Sequence, residues 1–323
     1  MDALSEVFRV VRLESAVFFN AAFSAPWCFR SPQSSSVMRT IDPAAETLIV
    51  FHLVTHGECV VHIDGEDASP QLLRAGDIVI FPHGDAHRMA SEAHVAPAPP
   101  TDLRTLLSRR PRQLRYGGGG LPTKFICGYL TCDPRLCRPI FDGMPRILTV
   151  SLRTGGSSDW LEASIQYAVG EAASPRPGGE GVLAKLSEVL FIEALRRYIA
   201  SLPTNQTGWL AGLRCRITGR ALSLIHERPC SGWTLDLLAR EAGTSRTVLS
   251  ERFLYYVGQS PMQYLQRWRL ALAASLLKGS SLTMQQVAEQ VGYESDTAFS
   301  RAFRREFGAP PARWRSTQVS LIA

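Results

Sequence analysis

The chain has 323 residues, of which 45% are hydrophobic and 20% charged, and its net charge is +6. These proportions are typical of globular proteins and exclude a low-complexity or collagen-like polypeptide. The length exceeds what one hydrophobic core usually organises, so we expect at least two domains.

Apolar runs along the chain are too short for a membrane-spanning helix. The longest, residues 48–54 and 78–81, fall far below the roughly 20 residues that such a helix needs. A secretory signal is not predicted either, because Asp2 and Glu6 stand where basic residues are required. We therefore expect a cytoplasmic protein that makes no membrane contact.

Short β-rich runs separated by turns fill the first 90 residues. Runs at 48–55 and 59–63 are followed by Asp64-Gly65, a strong hairpin signal, and a further run covers 78–81. This spacing predicts a small barrel or sandwich, to which a strand at 125–131 returns. Residues 96–122, rich in proline, arginine and glycine, are predicted to be a mobile surface loop.

Two amphipathic helices are predicted at 160–174 and 182–202, from apolar residues that recur at helical spacing. Their position between two domains favours a dimer interface, with Leu186 and Leu190 as contact residues. The alternative is a connector that packs against the chain's own core.

A helix-turn-helix pattern begins at Thr234, which is a suitable N-cap for a helix at 235–242. Gly243 supplies the turn, and Ser245 caps a second helix at 246–255. This arrangement places a second helix in the DNA major groove in many regulators.

The same pattern returns about fifty residues later, with helices at 284–291 and 296–307. A helix at 261–278 joins the two units, and its 18 residues span about 27 Å at ~1.5 Å per residue. That length suits two reading helices about one DNA turn apart.

Positive charge is concentrated in this part of the chain. Residues 214–315 contain 15 Arg and Lys against 8 Asp and Glu, a balance of +7. A phosphate backbone attracts such a segment. Lysine occurs at only three positions in the chain, so arginine supplies nearly all of the positive charge. A general preference for arginine in the composition would therefore also contribute to this positive balance.

Residues 215–315 resemble the DNA-binding domain of the AraC/XylS family of bacterial regulators. The positions that carry the resemblance are Ala239, Gly243, Ser245, Arg252, Phe253, Gly258, Pro261, Tyr264, Leu265, Arg269, Ala273, Leu276, Leu277, Val287, Ala288, Val291, Gly292, Tyr293, Ser295, Phe299, Ser300, Arg301, Ala302, Phe303, Phe307, Gly308, Pro311, Trp314 and Arg315. Trp314 departs from the family pattern, which more often has Tyr there.

Base reading is expected from side chains near the start of each second helix. The candidate DNA-binding residues are Ser245, Arg246, Thr247 and Ser250 in the first unit and Thr297, Ser300, Arg301 and Arg304 in the second. Arg246 and Arg301 are the strongest candidates, because arginine binds guanine with two hydrogen bonds. A phosphate contact or a solvated charge is the alternative for each.

The N-terminal half resembles the cupin-type sensor domain of one AraC subfamily. The motifs that carry this resemblance are Ala25-Pro26-Trp27, 51–54 with Gly57, 74–77, 82–87, 127–129 and 208–210. The fold implied is α+β, with a cupin-like β-barrel sensor domain at 1–150, a helical connector and possible dimer interface at 151–205, and an all-α double helix-turn-helix domain at 206–323.

Histidines in this domain are candidates for an effector pocket. His87 stands where the second cupin motif places a metal ligand, and His52 is predicted on a neighbouring strand. The first motif is degraded, since Ala44, Glu46 and Val50 replace its usual ligands, and a metal site normally needs three or more. Metal binding, a small-molecule pocket and purely structural histidines all remain open, with His56, His83 and Glu58 as weaker candidates.

The cysteines suggest a second hypothesis for the sensor domain, which is detection of oxidants. Seven cysteines, an odd number, favour reduced thiols over a disulfide framework. Cys127, Cys132 and Cys137 recur at five-residue spacing and Cys59 lies on another strand, so Cys127, Cys132 and Cys59 are redox candidates. Buried, unreactive thiols are the alternative.

The resemblance implies a transcription regulator that binds double-stranded DNA. Together with the helix pair and the short apolar runs, it leads us to expect a cytoplasmic homodimer that acts as an activator, and we assign it no cofactor and no metal ligands. RNA polymerase and a small-molecule or oxidant effector are possible further partners. An effector-independent DNA-binding protein is the alternative, and a cupin-type metal enzyme is a remoter one.

Overall fold

The computed structural model describes residues 2–10, 14–41, 46–65, 69–96, 113–153, 158–174 and 176–322. The chain divides into two compact units. One comprises residues 13–132 and 144–201 and is called the sheet unit, and the other comprises 1–12, 133–143 and 202–323 and is called the helical unit. The predicted α+β class with an N-terminal β-domain and a helical C-terminal domain is confirmed.

The sheet unit contains two antiparallel-rich sheets in the described part of the chain. Their strands are β1 (Glu14–Ser24), β2 (Cys28–Ser31), β3 (Leu48–His56), β4 (Glu58–Ile63), β5 (Gln71–Arg74), β6 (Asp77–Phe81), β7 (His87–Ala90), β8 (Gln113–Gly117), β9 (Pro122–Thr131) and β10 (Leu148–Ser151). The larger sheet has the order β10-β6-β3-β9-β1-β8, and the smaller has the order β2-β7-β4-β5.

The core of this unit lies between the two sheets. Alternate residues of β4, namely Cys59, Val61 and Ile63, are buried in the same cluster as residues of β3, β6 and β9. Period-two alternation on β4 therefore identifies its inner face, as half-buried strands require. The hairpin signal at Asp64 is also confirmed, because β4 pairs antiparallel with β5.

Part of the predicted loop at 96–122 is a strand. Residues 113–117 form β8, which pairs in parallel with β1, whereas residues 97–112 lie outside the described part of the chain. The mobile-loop prediction is therefore wrong for 113–117. The composition of the predicted loop did not reveal this strand, because the strand with which it pairs lies about ninety residues earlier in the sequence.

The two predicted amphipathic helices exist as α4 (Ser158–Ala173) and α5 (Gly179–Ser201), and a shorter helix, α2 (Ser34–Ile41), precedes β3. Both α4 and α5 contact β1 of the sheet unit. Leu190 is only 4% exposed, and Leu186 packs against a cluster that includes Leu183. Leu190 therefore packs in the chain's own core rather than on a free surface, and Leu186 is half-buried. The dimer interface predicted for these two helices stays a prediction.

The remaining helices form the helical unit. They are α1 (Ala3–Val10), α3 (Pro134–Phe141), α6 (Trp209–Gly212), α7 (Arg216–Glu227), α8 (Leu235–Glu241), α9 (Arg246–Val257), α10 (Pro261–Gly279), α11 (Met284–Gln290), α12 (Asp296–Phe307) and α13 (Pro311–Ile322). No helix among the described residues is long and apolar enough to span a membrane.

The two caps predicted for the first helix-turn-helix unit are present, and the second unit has equivalent caps that were not predicted. The hydroxyl of Thr234 accepts a hydrogen bond from the Leu237 amide at the start of α8, and the hydroxyl of Ser245 does the same for α9. In the second unit, Thr283 begins α11 with a capping box and Ser295 caps α12. Such caps satisfy amides that the helix itself leaves without partners.

Two early segments belong to the helical unit although they lie far from it in sequence. Helix α1 contacts α7 through a face that includes the buried Leu4 and Val7, and α3 contacts α10. The predicted boundaries at residues 150 and 206 stay a prediction, and the compact units divide the chain differently. A fragment of residues 206–323 would lack α1 and α3.

One arginine fixes the two helix-turn-helix units to the helix between them. The guanidinium of Arg269 on α10 donates to the carbonyls of Pro229 at 2.6 Å and Ser231 at 2.7 Å, in the loop before the first unit. It also donates to the carbonyl of Gly292 at 3.1 Å, in the turn of the second unit. Gly292 has φ +79, and a Cβ there would lie 2.9 Å from the backbone of Cys230, so only glycine fits.

The Arg269→Ala substitution should lower the free energy of unfolding by about 2 to 4 kcal/mol, because it removes three charge-assisted hydrogen bonds to carbonyls. Urea unfolding of the full chain, followed by circular dichroism, measures the change. Arg267→Ala is the matched control, since Arg267 lies on the same helix with a mostly exposed side chain. Its effect should stay below about 0.5 kcal/mol. Equal effects of the two substitutions would contradict the role given to Arg269.

Candidate DNA interface and buried histidine pair

Helices α9 and α12 each bury one face in the helical unit. Leu249 and Phe253 of α9 are fully buried, as are Phe299 and Phe303 of α12. Because successive residues of a helix turn by about 100°, the opposite face of each helix can be derived from these positions.

The outward face of α9 is formed by Thr247, Glu251 and Leu254, all of which are exposed. Thr247 and Leu254 lie on either side of Glu251 along the helix, at spacings of four and three. Glu251 and Leu254 were not predicted as functional residues. The signal that could have found them is the helical period counted from Leu249 and Phe253.

The outward face of α12 is formed by Thr297, Arg301 and Arg304, which are also exposed. Ser300 lies beside them and is half-buried. All four predicted residues of the second unit therefore lie on or beside one surface. The hydroxyl of Thr297 has a 3.4 Å contact with the Asp296 carboxylate, so it is oriented towards the start of the helix.

The predicted residues of the first unit are placed less uniformly. The Ser245 side chain is used as the helix cap, at 3.3 Å from the Val248 amide. Arg246 is turned away from Glu251, and its guanidinium lies 3.2 Å from the carboxylate of Asp236 on α8. Thr247 is exposed and Ser250 is half-buried.

In the sheet unit, His52 and His87 lie side by side in the buried core. Their Nε2 atoms are 2.8 Å apart, and His52 Nδ1 is 2.7 Å from Cys127 Sγ. His87 Nδ1 is 2.8 Å from the carbonyl oxygen of Asp85, and its ring stacks on Phe81 with centroids 3.5 Å apart. The structure thus brings both predicted effector-pocket histidines and one redox candidate into a single network.

The contacts define which atoms carry protons. A carbonyl only accepts, so His87 Nδ1 carries its proton and His87 Nε2 is the acceptor. His52 therefore donates from Nε2, and its Nδ1 accepts from the Cys127 thiol. Burial lowers the pKa of His52 well below its usual value and that of His87 to about 4, so both rings are neutral at pH 7.

The thiols of Cys127, in this network, and of Cys59, elsewhere in the same core, are protonated at neutral pH. Burial raises the pKa of Cys59 to about 12 and raises that of Cys127 well above its usual value. Since the thiolate is the reactive form, burial suppresses the reactivity of both cysteines.

The third redox candidate is in a different state. Cys132 is disulfide-bonded, as is Cys137, whereas the other five cysteines are free. The expectation of reduced thiols is therefore wrong for this pair, which lies five residues apart around the turn between β9 and α3. An odd total number of cysteines does not exclude one local disulfide.

The histidine pair does not fit a metal site. Two nitrogens that bind one tetrahedral zinc ion lie about 3.3 Å apart with lone pairs directed at the ion, whereas these two share a hydrogen bond. No group of three or more His, Cys, Asp or Glu among the described residues is arranged to hold a metal ion. His56, His83 and Glu58 do not join the pair in any contact that the structure gives.

Comparison with family models divides the chain in the same order as the sequence motifs. Residues 2–200 match a family described as Cupin, and residues 238–317 match one described as a helix-turn-helix domain. Together the matches extend over most of the chain.

Relatives resemble the chain over nearly its full length. The HTH-type transcriptional regulator AlkR of Acinetobacter baylyi is 28% identical over 98% of this chain and 99% of its own. The HTH-type transcriptional regulator MtrA of Neisseria gonorrhoeae is 29% identical over 98% of both chains. Among solved structures, the DNA-binding domain of AdpA in complex with a target DNA is 30% identical, covers 30% of this chain and 87% of that chain, and has a TM-score of 0.30.

Proposed function

Because the chain belongs to the AraC family of DNA-binding transcription regulators with an N-terminal cupin domain, we propose that it reads one operator with both α9 and α12 under the control of its sheet unit. The observation that carries this proposal is the Arg269 contact set, which holds both units on α10. Helix α10 has 19 residues, or about 28 Å, which suits two successive major-groove segments.

The operator should have two half-sites within roughly 20 base pairs, one for each helix. Arg301 and Arg304 are assigned to the half-site under α12, and Thr247 and Ser250 to the half-site under α9. Arg246 is assigned to phosphate contact rather than base reading, since its pairing with Asp236 keeps it beside the outward face.

DNA affinity should depend strongly on salt, because the helical unit carries most of the excess positive charge. With about six phosphates neutralised, the slope of log affinity against log salt should be near −5. Arg301→Ala should weaken operator binding by about 1–3 kcal/mol and relax the preference at one base pair, whereas Arg246→Ala should weaken binding to all duplexes equally. Gel-shift titrations of the full chain at several salt concentrations measure these effects.

Arg196→Ala supplies the control, since it removes the same charge from an exposed position of the sheet unit. It should leave both slope and affinity unchanged. A slope near zero for the wild-type chain would rule out electrostatic binding.

Control by the sheet unit is proposed from the His52–His87–Cys127 network. An apolar core of the same volume is often at least as stable as a buried polar one, so the stability of the fold alone does not require such a network. A ligand that changes one of its hydrogen bonds would shift the unit between two states, which is what an effector must do. The protonated thiols favour a small-molecule effector over an oxidant.

Hydrogen peroxide should leave the operator affinity of the full chain unchanged, because Cys127 and Cys59 are protonated and buried. Cys127→Ser keeps a hydroxyl donor for His52 and removes the thiol, so it should bind DNA like the wild type with or without peroxide. Gel shifts before and after treatment measure this. A peroxide-induced change that Cys127→Ser abolishes would restore the oxidant reading, in which the thiol is oxidised to a sulfenic acid and the peroxide is reduced to water.

A homodimer is proposed through the exposed faces of α4 and α5. Trp160 and Tyr167 lie seven residues apart on α4, and Val182 and Val189 have the same spacing on α5. All four are at least 40% exposed. Seven-residue apolar spacing on exposed helices is typical of helix pairing between chains.

The double substitution Val182→Glu and Val189→Glu should convert a dimer into a monomer, because it places charges in the apolar contact. Sedimentation of the purified full chain measures the mass. Leu121→Glu is the control, since Leu121 is 84% exposed elsewhere in the sheet unit. A monomeric wild type, or a dimer that survives the double substitution, would return α4 and α5 to a purely internal role.

Two further expectations, an RNA polymerase contact and the alternative of an enzyme, depend on the family rather than on particular contacts. An activator also contacts RNA polymerase, and that partner follows from the family alone. The relatives are named as transcription regulators, which argues against the alternative of a cupin-type enzyme.

A further inference from the structure

The two reading helices are copies of one scaffold with an offset of fifty residues. Ser245 and Ser295 cap them, and Gly258 and Gly308 end them in the left-handed conformation. The next helices, α10 and α13, begin at Pro261 and Pro311. Each outward position of α9 therefore has a counterpart on α12 fifty residues later.

These counterparts differ in chemistry on a common background. Thr247 corresponds to Thr297 and Ser250 to Ser300, so these two positions carry the same residue on both helices, whereas the first helical positions, Arg246 and Asp296, differ. Further along, three positions change from acidic or uncharged residues on α9 to arginine on α12: Glu251 to Arg301, Leu254 to Arg304, and Tyr255 to Arg305.

The outward face of α9 therefore has no positive charge, although the helix contains two arginines. Arg246 pairs with Asp236 on α8. Arg252 is turned about 100° from Glu251, and its charge contributes to lowering the pKa of Cys215, the residue that caps α7. The face that points away from the core has Glu251 at its centre and the exposed Leu254 one turn further on.

Glu251 has no ion pair and no hydrogen bond within the described residues. On DNA, its carboxylate would face phosphates and the acceptor atoms of guanine and thymine, which repel it. Cytosine offers an N4 amino donor in the major groove, and a glutamate accepts from it. A carboxylate at this position therefore favours one base and opposes others.

Given that the chain binds DNA as proposed above, we propose that the two half-sites are read with opposite chemistry. Glu251 on α9 selects a cytosine, while the arginines of α12 supply most of the affinity. Discrimination at the α9 half-site arises as much from repulsion of wrong bases as from attraction of the right one.

The test is selection of bound duplexes from a pool with about 20 randomised base pairs, using the full-length chain. The wild type should enrich a site with a cytosine at one position of one half-site. Glu251→Ala should reduce that preference by roughly tenfold and leave the other half-site unchanged. Arg301→Ala should alter the other half-site instead.

Glu251→Gln sharpens the test, because it keeps the size of the side chain and replaces its acceptor pattern. Glutamine binds adenine through N6 and N7, so the enriched base should change from cytosine to adenine at the same position. Glu227→Ala is the matched control, since Glu227 is an exposed acid on α7 of the same unit. It should leave both half-sites unchanged.

Two outcomes would overturn the inference. One is an unchanged base preference in Glu251→Ala, with affinity raised equally on all duplexes, which would make Glu251 a repulsive surface charge only. The other is loss of the wild-type cytosine preference on substitution of α12 alone. A wild-type chain that enriches no sequence would instead contradict DNA reading itself, so the two failures are distinguishable.

Discussion

The geometry of the helical unit depends on one guanidinium. Arg269 donates to Pro229, Ser231 and Gly292, so one side chain on the linking helix binds carbonyls from the edges of both helix-turn-helix units. Arginine suits this position because its planar donors are fixed in direction, whereas lysine presents a point charge on a flexible stem. These contacts contribute, with the apolar packing of both units on α10, to the relative orientation of α9 and α12 and so to the spacing at which two DNA segments can be read.

In the helix-turn-helix repeat, the positions that determine helix geometry are the same in both units, whereas several exposed positions differ. Caps, buried phenylalanines and terminal glycines recur at an offset of fifty because each helix needs the same local geometry. The outward positions have no packing partner, so Glu251 and Arg301 can differ without cost to the fold. Specificity in such a tandem reader is therefore a property of a few exposed positions on a shared scaffold.

The buried network of the sheet unit consists of polar groups whose burial costs little free energy. Cys127, His52 and His87 form a chain of donors and acceptors that ends at the Asp85 carbonyl, and every member is neutral. Neutrality removes the large cost of burying a charge, and complete pairing removes the cost of an unsatisfied group. These contacts occupy all four ring nitrogens of the two histidines, so none of them is free to bind a metal ion, although the cupin fold often binds one.

The sequence alone determined the local features of the protein. Glycine turns and apolar spacing predicted both helix-turn-helix units, and cap residues supported the first, because helix ends and periods depend on neighbours within about four residues. It also predicted that His52 lies near His87 and placed Arg301 on a helix face that is exposed in the structure. Tertiary structure decided what depends on distant contacts: β8 pairs with a strand about ninety residues earlier, α1 and α3 join the helical unit, and Leu190 faces inward. The pairing of Arg246 with Asp236 on the preceding helix is likewise a tertiary contact that the sequence did not predict.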